Sequence, residues 1–231
     1  MTTRYAVYFA PAQDTPLWAF GCAWLGRNPA TGQVLAQPQV DGFSADRLRE
    51  LTASPRLYGL HATLKPPFQL QPGITSEELA DAVRSLAACH TSFELPRLEV
   101  GLLAGFLALR TVADSPRLRA LADAGVMELD RFRQPPDAAE LQRRRATVLP
   151  PRQEELLLRY GYPYVLDQWR FHITLTERLT AADAERLRPW LAERLRAVLN
   201  QRLRCEDVCL FVQPLTGADF RLLQRFPLNP D

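Results

Sequence analysis

Leu57-Tyr58-Gly59-Leu60-His61-Ala62-Thr63-Leu64-Lys65-Pro66-Pro67-Phe68 is the stretch on which the reading of this chain turns. Along a β-strand, successive side chains point to opposite faces. That alternation predicts His61, Thr63 and Lys65 on one face, with Leu60, Ala62 and Leu64 on the other. A proline after Lys65 favours extended backbone at the lysine, and Pro66-Pro67 close the strand. A second stretch, Arg170-Phe171-His172-Ile173-Thr174-Leu175-Thr176, has the same design. His172, Thr174 and Thr176 share one face, and Phe171, Ile173 and Leu175 share the other. Each strand is expected to bury one side and display polar groups on its opposite side.

The surroundings of the two strands also match. After the first, Thr75 to Glu78 forms a capping-box pattern, and Leu79, Val83, Leu86 and Ala87 supply the apolar stripe of a helix. Strand-like runs follow at 93–103 and 105–112. After the second, Thr180 caps a helix reaching about Leu203, with runs at 206–212 and 220–228 behind it. His61 precedes Phe106 by 45 residues and His172 precedes Phe220 by 48. Order and spacing together predict an internal duplication. Upstream, residues 4–10 predict a strand ended by Pro11, residues 14–25 a short helix, 26–42 a loop, and Ser44 a helical piece that stops near Pro55. Between the halves, residues 115–168 predict three helices, beginning at Ser115-Pro116, at Asp137 and at Pro151, and read as an insertion linking the lobes.

The chain has 231 residues, 47% apolar and 23% charged, and a net charge of +2. That composition suits one globular bilobal domain over residues 1–231 and gives no overall field for nucleic acid or a membrane. No run of about 18 apolar residues occurs and no leader pattern opens the chain, so a cytoplasmic monomer without a membrane partner is expected. Four irregularly spaced cysteines, Cys22, Cys89, Cys205 and Cys209, read as buried thiols rather than a disulfide framework. Lys65 is the single lysine among 28 basic residues, four positions after His61.

Two imidazoles across a cleft suit acid–base work on a phosphodiester. Near neutral pH one accepts a proton from the attacking oxygen while the other, protonated, donates to the departing oxygen. A threonine hydroxyl on the same face can donate to the phosphoryl oxygens as charge builds there. Lys65 would add a positive charge. The competing metal reading lacks ligands: two histidines are too few, and no carboxylate or thiol shares their face. The expectation is therefore a catalytic set of His61, Thr63, His172 and Thr174, with no metal and no cofactor. Tyr8, Gln213 and Arg221 join Lys65 as candidate substrate contacts, and the run Arg143-Arg144-Arg145 is a weaker candidate for binding phosphate.

The paired His-x-Thr-Leu motifs, His61-Ala-Thr-Leu64 and His172-Ile-Thr-Leu175, resemble the two-histidine (2H) phosphoesterase superfamily, which includes RNA 2′,3′-cyclic phosphodiesterases and RNA-ligating relatives. Tyr58 to Phe68, Phe171 to Leu179, and Phe211-Val-Gln-Pro214 with Phe220-Arg-Leu222 are similar to a bacterial branch associated with phosphonate-utilisation genes. The resemblance implies an α+β fold of two lobes, with two antiparallel sheets facing a central cleft and helices outside. It implies a small phosphorylated substrate, and the four motif residues match the catalytic positions. An enzyme processing RNA ends and a non-catalytic binder of a phosphorylated metabolite are the alternatives; the near-neutral charge disfavours nucleic acid.

Overall fold

A computed structural model describes residues 2–145 and 148–231. Residues 146 and 147 of the 115–168 segment lie outside the described residues. The chain opens with strand β1 (Arg4–Phe9) and helix α1 (Pro16–Leu25), which Thr15 caps through its side chain and Gly26 ends in the left-handed conformation. Helix α2 (Ala45–Leu51) is capped by Ser44, and α3 (Ala53–Tyr58) follows at once. Pro55 therefore does not stop a helix. It sits in the first turn of α3, where its missing N–H has no intrahelical partner to lose.

The first motif strand is β2 (Ala62–Phe68), followed by α4 (Ser76–Ala88) with the full Thr75–Glu78 capping box. The run expected at 93–103 splits into β3 (Phe93–Glu94) and β4 (Leu98–Leu103), with Pro96 between them, and β5 (Phe106–Thr111) completes a hairpin. The connecting segment holds α5 (Pro116–Glu128), α6 (Ala138–Arg144) and α7 (Pro151–Tyr160). The second motif strand β6 (Ile173–Arg178) leads to α8 (Ala181–Leu199), then β7 (Arg204–Cys205), β8 (Asp207–Gln213) and β9 (Arg221–Pro227). Motif strand, helix, short strand and hairpin thus occur twice in the same order.

The pairing crosses between the halves. One antiparallel sheet runs β2-β1-β8-β9, so the first motif strand shares a sheet with the hairpin of the second half. The other runs β4-β5-β6, joining the second motif strand to the hairpin of the first half. The short strands β3 and β7 pair with each other. Both motif strands are therefore edges. One hydrophobic cluster lies under both sheets, with Val7, Leu64 and Leu210 from the first, Leu109, Ile173 and Leu175 from the second, and Val83 and Leu191 from α4 and α8. A smaller cluster covers the other face of the four-stranded sheet, where Ala6, Tyr8, Cys209 and Phe211 meet Trp18 and Cys22 of α1. Cys22, Cys205 and Cys209 are buried as expected, whereas Cys89 is exposed because it caps the outer end of α4.

Two indole N–H groups tie the open edges together. Trp169 donates to the Thr63 carbonyl at 2.8 Å, and Trp24 of α1 donates to the Leu175 carbonyl at 2.8 Å. An unpaired strand edge leaves backbone acceptors wanting partners, and a buried one left bare is costly. Each tryptophan supplies such a partner from the opposite half.

Helix α1 crosses close to the residue before His61. A Cβ added at Gly21 would lie within 2.9 Å of three Leu60 side-chain atoms, including its Cβ. In a helix interior Gly→Ala is favourable by about 1 kcal/mol, but overpacking costs about 1–3 kcal/mol. The Leu60 Cβ cannot move without its backbone, so the clash should win. Urea unfolding of Gly21→Ala is predicted to show a lower midpoint at unchanged slope; a midpoint at or above wild type would mean that the contact has room to relax.

Candidate active site

His61, Thr63 and Thr174 line one cavity of about 340 Å³, together with Arg4, Tyr8, Ser54, Tyr58, Arg144 and Tyr162. Thr63 stands directly across the sheet from Tyr8, so both point to the cavity face of the four-stranded sheet. Thr174 brings the second motif to the same space. His172 is close enough that its charge opposes protonation of His61. A volume of this order suits a small molecule, and none of the lining residues is an aspartate or glutamate.

The two histidines are held by the same local device. His61 Nδ1–H donates to the Gly59 carbonyl at 2.9 Å, and His172 Nδ1–H donates to the Arg170 carbonyl at 2.8 Å. A carbonyl only accepts, so in the neutral ring the proton sits on Nδ1 and Nε2 is bare. The Thr63 hydroxyl then donates to His61 Nε2 at 3.3 Å. Gly59 can serve because its φ of +81° is open to glycine, and a Cβ there would meet the Pro29 ring at 2.8 Å.

Burial sets the charge state. It pushes His61 from its ordinary value near 6.5 down to about 4; the Gly59 hydrogen bond opposes the shift and the charge of His172 adds to it. His172 is also lowered by burial, against the support of the Arg170 carbonyl. Both rings are therefore neutral at pH 7 in the free protein.

Of the other sequence candidates, Tyr8 lines the cavity and packs against His61, ring centroids 3.9 Å apart and planes tilted by 33°. Its hydroxyl is buried with no hydrogen-bond partner among the described residues. Leaving such a group unsatisfied typically costs about 1–3 kcal/mol. Lys65 is not brought to the cavity. Between Thr63 opposite Tyr8 and Lys65 opposite Val7, strand β2 advances two residues while β1 advances one. This bulge at Leu64 breaks the alternation and places Lys65 on the core face beside Val7. There the ammonium bonds the Val126 carbonyl of α5 at 3.1 Å and Asp130 at 3.4 Å, only 2% exposed. Burial lowers its pKa to about 8 against the pull of Asp130.

Gln213 stands across the sheet from Arg4, on the face that Tyr8 shares, but is not part of the lining. It is buried, accepts from Arg4 Nε at 2.7 Å and donates to the Ala218 carbonyl, so it positions a residue that does line the cavity. Arg221 is exposed on the outer strand β9 and lies away from the lining. From the arginine run, Arg144 alone reaches the cavity, paired with Glu140 at 3.2 Å and lying over the Tyr162 ring. Arg4, Tyr58 and Tyr162 were not singled out as site residues by sequence reasoning. Their only signal was the wealth of aromatic and basic residues flanking the motifs. Among the described residues, no group of three or more His, Cys, Asp and Glu side chains is arranged to hold a metal ion, and no helix is long and apolar enough to cross a membrane.

Comparison with known proteins gives three findings. Residues 63–221 match the family described as "Protein of unknown function (DUF1045)". The chain is 41% identical over 183 residues to a "Ribose 1,5-bisphosphate phosphokinase PhnN" of Janthinobacterium sp. (strain Marseille), covering 79% of this chain and 40% of that protein. It is 38% identical over 220 residues to a protein of the same description from Laribacter hongkongensis (strain HLHK9), covering 95% of this chain and 50% of that one. The chain thus spans about half the length of the curated relatives it matches, or less. Among solved structures, E. coli LigT complexed with 3′-AMP overlays 99% of each chain at 15% identity with a TM-score of 0.42.

The histidine shifts have a measurable sign. His61 titrates near 6.5 when unfolded and about 4 when folded. The unfolded chain takes up that proton first, so this contribution to stability is whole above about pH 6.5 and is lost as pH falls toward 4. Proton NMR of the ring C–H groups should show His61 neutral at pH 6 and titrating near pH 4. A midpoint near 6.5 would show that the ring is as solvated as in a peptide.

Proposed function

The chain belongs to the DUF1045 family, and from that premise we propose that it is a metal-independent phosphoesterase hydrolysing a small cyclic phosphodiester, or a related phosphoester, by two-histidine acid–base catalysis. The observation that carries this reading is the pair of rings tied back at Nδ1, each leaving Nε2 without a proton, with His61 in a cavity lining of threonine hydroxyls and guanidinium groups without a carboxylate and His172 near enough for its charge to be felt there.

In the proposed reaction one Nε2 takes a proton from the attacking water as its oxygen bonds to phosphorus. The other ring, protonated, passes its proton to the leaving oxygen as that P–O bond breaks. Each role is typically worth about 10² to 10⁴ in rate. Because both rings are neutral in the free protein, the acid's proton is taken up with the anionic substrate, whose charge favours the imidazolium. Thr63 and Thr174 donate to the phosphoryl oxygens as their charge grows. Arg4 and Arg144 neutralise the remaining negative charge, with Gln213 aiming the first.

The relatives are described as ribose 1,5-bisphosphate phosphokinases, and this chain matches only half of their length or less. A P-loop kinase site needs Gly-Lys-Ser/Thr, and the one lysine here follows Leu64. A phosphorylated sugar as substrate agrees with that description, and the resemblance to the phosphonate-associated branch favours a place in phosphonate metabolism.

Purified protein is predicted to turn over cyclic ribose phosphates or 2′,3′-cyclic nucleotides with undiminished rate in EDTA. His61→Ala and His172→Ala should each lower kcat by at least about 10², with the fold intact. Complete loss of activity with chelator would overturn the metal-free claim, and a histidine variant with wild-type rates would remove that ring from the mechanism.

A further inference from the structure

Tyr8 is buried for no gain that a phenylalanine would not give. Its ring packs against His61, against Phe211 at 5.1 Å and against Phe220 at 6.3 Å, an aromatic setting in which the phenyl ring alone satisfies every contact. The side chain is 0% exposed, and its oxygen has neither water access nor a hydrogen-bond partner among the described residues. A desolvated hydroxyl without a partner is unfavourable, and such groups in a folded protein call for an explanation. Phenylalanines at 9, 211 and 220 show that the chain does use the plainer residue nearby.

Its position supplies the explanation. Tyr8 stands opposite Thr63 in the β1–β2 ladder, on the same face and facing the same cavity, while its ring lies on His61. Two groups of the proposed mechanism, the His61 ring and the Thr63 hydroxyl, thus stand directly beside Tyr8. The Thr63 hydroxyl is occupied with His61 Nε2, and the Tyr8 hydroxyl has no partner among the described residues.

We infer that the Tyr8 hydroxyl is a catalytic hydrogen-bond donor, held in readiness for a non-bridging oxygen of the phosphoryl group that Thr63 and Thr174 also cradle. The inference rests on the phosphoesterase reading above and extends it by a third donor. Burial, aided by the neighbouring Tyr58, holds the phenol far above its ordinary pKa, against the opposing charge of Arg4. The group therefore keeps its proton and acts as a donor, leaving proton transfer to the two histidines. A substrate oxygen is no smaller than water's, so it meets the hydroxyl only once the His61 ring packed on Tyr8 gives way. The donor then acts in a dry setting, where it counts most.

The test compares wild type with Tyr8→Phe, which removes one oxygen atom and no packing. Three readouts are taken: kcat and KM on a cyclic phosphodiester, affinity for inorganic phosphate by calorimetry, and Tm without ligand. The expected result is a kcat lower by about 10²-fold, KM within about threefold, weaker phosphate binding, and a Tm equal to or above wild type. A purely structural hydroxyl would instead lower Tm, so a Tyr8→Phe protein that melts well below wild type or fails to fold overturns the inference. Wild-type kcat and phosphate affinity in the variant overturn it equally. Should wild-type protein turn over no phosphoester, the phosphoesterase reading fails by itself; the phosphate arm still decides whether the hydroxyl meets an anion, with unchanged affinity overturning it.

Discussion

The hydrogen bond from the Trp169 indole to the Thr63 carbonyl joins the two halves of the site across the gap between their sheets. It leaves the chain three residues before His172 and lands on the backbone of a residue two places after His61. Its counterpart, Trp24 to the Leu175 carbonyl, does the same for the other motif strand. Both strands are sheet edges, so their outward carbonyls require partners, and the partners come from across the molecule. Edge strands are usually a liability. In this protein they place two polar faces beside one cavity, and the indoles fix their separation within a shared core. The crossed hairpins reinforce that arrangement, because β6 pairs with the hairpin of the first half and β2 joins, through β1, the hairpin of the second.

A second constraint acts on the rings themselves. The i−2 carbonyl holds Nδ1 in both motifs, although the backbone before each histidine differs: Gly59 with positive φ in one, Arg170 in the other. What recurs is the outcome, a neutral ring whose Nε2 carries no proton. Burial then decides the charge state and outweighs the hydrogen bond that supports the proton. Enzymes that divide acid and base roles between like groups need an environment that separates their protonation states. Here burial lowers both rings and the charge of His172 adds to the lowering of His61.

Much of this was legible in the sequence because period-two alternation and helix caps are local. Thr15, Ser44, Thr75, Ser115, Asp137 and Thr180 all accept a hydrogen bond from the first turn of a helix. The grouping of each motif histidine with its threonine follows from the same local rule. Lys65 was misjudged where the rule fails, since one extra residue at Leu64 turns the side chain to the core face. There its charge meets the Val126 carbonyl near the end of α5 and Asp130. The cross-half pairing of hairpins was not legible, because a repeat reveals order and not partners. Arg4, Tyr58 and Tyr162 were missed for the same reason: they reach the cavity from the first strand, the end of α3 and the loop after α7. The segment at 115–168 read as an insertion, yet α5 packs on β2, and Arg144 and Tyr162 wall the cavity.

The central claim is that both His-x-Thr pairs act on one phosphoryl group. A crystal structure of the protein with orthovanadate bound tests it most directly, because the ion takes the geometry of the phosphoryl group in transit. The account predicts a single vanadate with His61 and His172 Nε2 on opposite sides, the Thr63 and Thr174 hydroxyls on its equatorial oxygens, and all four contacts at hydrogen-bond distance. A vanadate held by only one of the two motifs, or bound outside the cavity they border, would contradict it.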